Sequence, residues 1–192
     1  MKRRFLSIGP LAAWAAFFAA AVVLGAESTR SVAIFEGQQV EIPVPAGWEI
    51  DERQDPKTGL QSVELSDPGK DAELSISFMP DSQGSMSTRG GLEKLARHVF
   101  GTYLESSVEK QMKLTYFEAP GGAGVYTSFT DAKLDPKRIP EGEKLMSTAG
   151  LRSWKGGYLI FTLLTNTRDS VAYRKALDIV QSGLKVKTPV AF

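Results

Sequence analysis

The sequence predicts an α+β domain in which an antiparallel β-sheet is flanked by helices. Three observations carry that expectation. Tyr158-Leu159-Ile160-Phe161-Thr162-Leu163-Leu164-Thr165 is an almost unbroken run of apolar, aromatic and β-branched residues, which reads as a central strand covered on both faces. After Thr167 the period changes: Ala172, Tyr173, Ala176, Leu177, Val180 and Leu184 recur at helical spacing up to Val186, one apolar stripe laid on the sheet. The strand-like runs are joined by short turns, which only antiparallel neighbours tolerate.

Taken in chain order, Met1-Lys2-Arg3-Arg4 is a basic start, and Phe5 to Leu24 is apolar apart from Ser7, Gly9 and Pro10. With Leu24-Gly25-Ala26 as the cleavage site, residues 1–26 read as a secretory signal peptide and residues 27–192 as one globular domain. The apolar stretch is also close to the length of about 20 residues that spans a bilayer, so an uncleaved anchor is the rival. Loss of Lys2, Arg3 and Arg4 would leave 20 basic against 22 acidic residues, a formal charge of −2. No basic stripe suggests nucleic acid. The chain has no cysteine, which excludes disulfides, a thiol nucleophile, cysteine-based zinc sites and a lipid-modified cysteine. The expected location is periplasmic or secreted, with membrane attachment only if the N-terminal helix is retained.

Residues 31–44 form a hairpin, with Gly37-Gln38 at its turn and Val40, Ile42 and Val44 alternating with polar positions. Pro43 lacks a ladder N–H and places its strand at an edge, or else points outward. Pro45-Ala46-Gly47-Trp48 follows, and Trp48 is expected to bury its ring over one end of the sheet. Residues 55–59 are a turn. Residues 60–65 and 72–79 are two further strands; in the second, Leu74, Ile76 and Phe78 alternate with Glu73, Ser75 and Ser77, which gives one buried and one polar or lightly covered face. Residues 80–91 are the most flexible segment, and loops of that length are often either functional or disordered. Residues 92 to about 109 are a helix whose inner stripe is Leu92, Leu95, Ala96, Val99 and Tyr103, with Gly101 marking a bend or a close contact with the sheet. Residues 112–118 and 124–130 are strands joined through Pro120-Gly121, residues 131–143 a polar loop, and residues 145–154 the partner of the central strand through Gly156-Gly157.

The Pro-x-Gly-Trp of Pro45, Gly47 and Trp48, the helix after the first strands, and the closing strand-then-helix from Tyr158 to Val186 resemble the PsbP-like superfamily, to which the DcrB-like periplasmic proteins of bacteria are similar. The resemblance covers residues 31–186. It implies an α/β/α sandwich and an accessory or binding role in an envelope or thylakoid compartment, with no shared catalytic residues. DcrB-like members are commonly lipoproteins, and this chain has no cysteine to modify. The metal-ligand positions of plant photosystem members have no counterpart here.

The chemistry-bearing residues each have an ordinary alternative. His98, the single histidine, lies off the stripe and reads as a solvated flank residue; a histidine metal site would need carboxylates from elsewhere. No Gly-x-Ser-x-Gly elbow supports a hydrolase. Glu49, Asp51, Glu52 and Asp55 offer oxygens for calcium, but Arg53 and Lys57 are interleaved, and a solvated strand end is the better reading. The glycine pairs at 90–91, 121–122 and 156–157 match neither a P-loop nor a dinucleotide fingerprint and read as turns. Trp48, Trp154, Tyr158 and Phe161 read as core rather than as a ligand pocket. These readings give no catalytic residue, no metal and no cofactor. Gln83, Met86 and Arg89 in the 80–91 segment are the candidate partner contacts. The function expected is that of an exported, non-enzymatic envelope accessory protein that binds a protein partner or stabilises an assembly. The alternative is a binder of a small apolar ligand or lipid in a pocket between sheet and helix.

Overall fold

The computed structural model describes residues 27–188; the signal-peptide reading of residues 1–26 lies outside the described residues. The domain is α+β and wholly antiparallel. Ten strands form two sheets: β1 (Ser28–Ala33), β2 (Gln39–Val44), β3 (Glu49–Gln54), β4 (Gln61–Ser66), β5 (Ala72–Pro80), β6 (Thr115–Ala119), β7 (Gly122–Thr130), β8 (Met146–Trp154), β9 (Gly157–Thr165) and β10 (Lys185–Lys187). Seven run in the order β3-β4-β5-β9-β8-β7-β6, and a small sheet has the order β1-β2-β10. Two α-helices, α1 (Arg89–Phe100) and α2 (Val171–Asp178), complete the domain.

The residues of 158–165 do form the central strand: β9 is fourth of seven, between β5 and β8. Its two faces are unequally covered, however. Leu159, Phe161 and Leu163 are buried, while Tyr158, Ile160, Thr162 and Leu164 are only half-buried. The buried side meets α2 and the small sheet, where Leu74, Ile76 and Phe78 of β5 join Val32, Val40 and Ile42 of the hairpin and Tyr173, Ala176 and Val180 of the closing segment in one core. A second core lies on the opposite face, where Leu92, Ala96 and Phe100 of α1 pack on Val125, Phe129, Ala149 and Leu151 of β7 and β8. Helix thus lies on both faces of the large sheet.

Several local expectations are corrected. Helix α1 begins three residues before Leu92, capped by the Thr88 hydroxyl accepting from Gly91 N–H at 3.1 Å. It ends at Phe100, and a 3-10 segment (Gly101–Ser106) continues it. The tighter turn shifts the phase, so Phe100 is buried and Tyr103 is displaced to a half-open position, stacked on Phe129 at 5.5 Å. Nothing stands within 4 Å of a Cβ built on Gly101, which leaves the change of helix type rather than a close contact as its role. The closing helix does not reach Val186: it passes into a π-helical turn (Ile179–Gly183), closed by Leu184 N–H donating to the Ile179 carbonyl at 3.0 Å, and then into β10.

Pro43 lies in β2, the middle strand of the small sheet, on the half-buried face opposite the buried Ile42 and Val44, which agrees with the outward placement rather than with an edge strand. Strand β10 pairs only with Gln39–Glu41, so the ladder stops short of the proline. There Gly183 approaches: a Cβ on it would stand 2.8 Å from the Pro43 ring. Trp48 is half-buried and packs against the core edge.

Candidate functional site

A helix about 10 Å across covers roughly two strands spaced about 4.8 Å apart. On its face of the large sheet, α1 packs on β7 and β8, which leaves β3, β4 and β5 without a helix above them. The result is a trough of about 720 Å³. Its floor is Ser75, Ser66, Thr162 and Leu164, and its flanks carry Glu49, Asp51 and Arg53 of β3, Glu64 of β4, Glu73 of β5 and Lys70 of the β4–β5 turn.

The charges in the trough are mutually paired. Arg53 bridges Asp51 at 2.9 Å and Glu64 at 3.0 Å, Lys70 meets Glu49 at 3.3 Å, and Lys144 reaches Glu73 at 2.8 Å. The hydrogen bond to Asp51 and then the charge of Glu64 hold the Arg53 guanidinium above its ordinary value. The Arg53 and Lys70 pairs are exposed and weak in water, so they can be exchanged for a partner's groups at small cost, whereas the Lys144 side chain is mostly covered. Sequence reading found the polar alternation of β5 but missed the trough, because which strands α1 leaves bare is a matter of tertiary placement.

The 80–91 segment is tied down rather than loose. Asp81 is buried, and its carboxylate accepts from Ser85 N–H at 3.0 Å and Met86 N–H at 2.8 Å, which closes a 3-10 turn (Ser85–Ser87). That turn packs on the start of α1 so closely that a Cβ at Gly91 would stand 1.9 Å from the Ser85 carbonyl oxygen. Gln83 is exposed, Met86 packs partly into the α1 core, and the Arg89 guanidinium lies 3.6 Å over the Tyr116 ring. The three candidate contacts therefore have three different surroundings.

The carboxylates of 49–55 are dispersed. Glu49 and Asp51 flank the trough, Glu52 pairs with Arg30 of β1, and Asp55 accepts from Lys57 and Thr58 N–H in its turn. Among the described residues no three of His, Cys, Asp or Glu gather as a metal-holding group. His98 is exposed on α1. Trp154 and Phe161 are core; the Trp154 indole donates to Gln38 Oε1 at 3.0 Å and stacks on Phe35. Gly157 is glycine because a Cβ there would stand 2.5 Å from the Phe35 ring.

A buried arginine escaped sequence reading altogether. Arg152 of β8 is 1% exposed and donates to the carbonyls of Val180 at 3.0 Å, Leu184 at 2.9 Å and Pro120 at 3.2 Å. Burial pulls its pKa down to about 10, so it remains charged at neutral pH. The partial negative charge of carbonyls at a helix C-terminus suits a cation there.

No family model matches the chain, and no curated protein matches it in sequence. Among solved structures it is similar to the solution structure of cyanobacterial PsbP (CyanoP) from Synechocystis sp. PCC 6803, with 13% identity over 88% of this chain and 99% of that one, and a TM-score of 0.54. At that identity the likeness shows the fold, and the fold is PsbP-like.

Proposed function

We propose that the chain is an exported, non-enzymatic accessory protein of the bacterial envelope that acts by binding a protein partner, and that the partner docks in the trough over β3, β4 and β5. The observation that supports this reading is the bare half-face itself: concave, part polar and part apolar, and flanked by the exposed ion pairs of Arg53 and Lys70 that a partner can replace. Non-obligate interfaces have this mixed polar character and rely on complementarity rather than on bulk hydrophobicity. Among the described residues no helix is long and apolar enough to cross a membrane. The exported state follows from the sequence reading of residues 1–26.

The test is a crosslinking pull-down with the full chain, expressed from its own N-terminus and tagged at its C-terminus. Ser75→Arg fills the trough floor from a half-buried strand position. A specific envelope protein recovered with the unmodified chain and lost with Ser75→Arg is the expected result, with the chain starting at Glu27. Equal recovery by both forms removes the trough as the docking site. Recovery of no protein by either removes the accessory reading, and a chain that starts at Met1 in the membrane fraction removes cleavage.

A further inference from the structure

We infer a second, independent site: a cleft of about 430 Å³ between α2 and the β6–β7 hairpin that takes a small organic carboxylate with an apolar body. Its lining includes Tyr126, Ser128, Tyr173, Leu177, Lys113 and Arg168, together with the carboxylate of Glu109. The volume lies within the range of about 300–1,000 Å³ typical of small-molecule sites. The lining mixes charged, hydroxyl and apolar side chains, a chemistry that is not that of a purely apolar binder.

Two features set that chemistry. The first is charge. Neither Lys113 nor Arg168 belongs to an ion pair among the described residues. The one carboxylate nearby, Glu109, has its oxygens engaged by the Thr130 N–H and hydroxyl, each at 2.8 Å. Burial opposes the Glu109 charge, yet those two bonds and the Arg168 charge together hold the carboxyl below its usual range. Two cations thus face the cleft against one carboxylate already engaged.

The second feature is a spare hydrogen-bond donor. Ser128, Thr148 and Tyr173 form a chain of hydroxyls, Ser128 Oγ to Thr148 Oγ1 at 2.8 Å and Thr148 Oγ1 to Tyr173 OH at 3.0 Å. Three O–H groups serve two bonds, so one is left over. On Thr148, which is fully buried, it would be an unmade bond in the interior, a costly arrangement. The spare O–H therefore falls to Ser128 or Tyr173, and both line the cleft. Leu177 and the Tyr126 ring supply the apolar walls. Two cations and a donor recognise a carboxylate, and the walls recognise an apolar or aromatic body. This site lies away from the trough and does not depend on the protein-partner reading.

Phenylacetate is a suitable probe and phenylacetamide its uncharged counterpart. Isotope-labelled chain, purified after expression from its own N-terminus, is titrated with each at millimolar concentration and followed by amide NMR. Phenylacetate is expected to shift resonances around Lys113, Tyr126, Ser128, Arg168 and Leu177. Phenylacetamide, and phenylacetate on the Lys113→Ala/Arg168→Ala double variant, are expected to bind at least about tenfold more weakly, a factor equivalent to about 1.4 kcal/mol. Both substituted residues are exposed, so the variant keeps the fold. Absence of shifts in the cleft, equal binding of the amide, or undiminished binding by the double variant each overturns the assignment.

Discussion

Arg152 shows how one side chain fixes the closure of the domain. Its guanidinium ties β8 to the π-helical turn through Val180 and to the residue after it through Leu184, and to the β6–β7 turn through Pro120. Arg152→Met keeps most of the volume but leaves the buried carbonyls of Val180 and Leu184, and the more open one of Pro120, without this donor. Unmade buried bonds cost about 1–3 kcal/mol each, less where water enters, so a loss of about 3 kcal/mol in urea unfolding is expected. Arg152→Lys should recover only part of it, because one ammonium cannot serve three divergent acceptors. A methionine variant as stable as the parent would show that the carbonyls find other partners. The role of this residue was illegible in the sequence, since its acceptors stand 28 and 32 positions away and an arginine in a strand ordinarily reads as exposed.

Among the elements, α1 is held to the sheet by its apolar stripe and by a polar clasp at one flank. Glu93 accepts from the Tyr116 hydroxyl of β6 at 2.7 Å and from Arg97 at 2.8 Å. The Tyr116 hydrogen bond first, and then Arg97, hold its carboxyl below the ordinary glutamate value. A carboxyl lowered in the folded state contributes stability that is fully present above its unfolded pKa and is lost as pH falls through the folded one. The clasp is therefore expected to open on acidification below the usual glutamate range. In Tyr116→Phe, the Glu93 titration read by NMR should move upward; an unmoved titration would mean that the bond does not form in solution. The existence and type of both helices were legible from period alone. The change to 3-10 at Gly101 and to π at Ile179 was not, because apolar spacing cannot distinguish helix types over a single turn. Strand β10 is three residues long and owes its conformation to β2, so Lys185-Val186-Lys187 carried no signal of its own.

Across the whole molecule, stability and surface are divided between the two faces of the large sheet. Ile42 is fully buried between the sheets, and Ile42→Ala is expected to cost about 2–5 kcal/mol through lost transfer and an incompletely collapsed cavity. Ser75→Ala on the trough floor should stay within about 0.5 kcal/mol, as substitutions away from packed features do. Chemical denaturation of the two variants checks the division; a serine variant as damaged as the isoleucine one would mean that the trough floor is part of the packed structure.

By itself the sequence determined what depends on local pattern: an α+β class, antiparallel strands joined by tight turns, two amphipathic helices, a central β9, and the polar face of β5. Short-range sterics and the periods of strand and helix encode these within ten or fifteen residues. Tertiary structure decided what depends on which surfaces meet. It placed the opening hairpin in a second sheet beside α2, buried Arg152 among carbonyls from distant turns, and set α1 over β7 and β8 so that half a sheet face stayed open. It also left a cationic cleft beside α2. Those outcomes follow from competition among apolar faces for burial across the entire chain, and no single stretch of residues carries that competition.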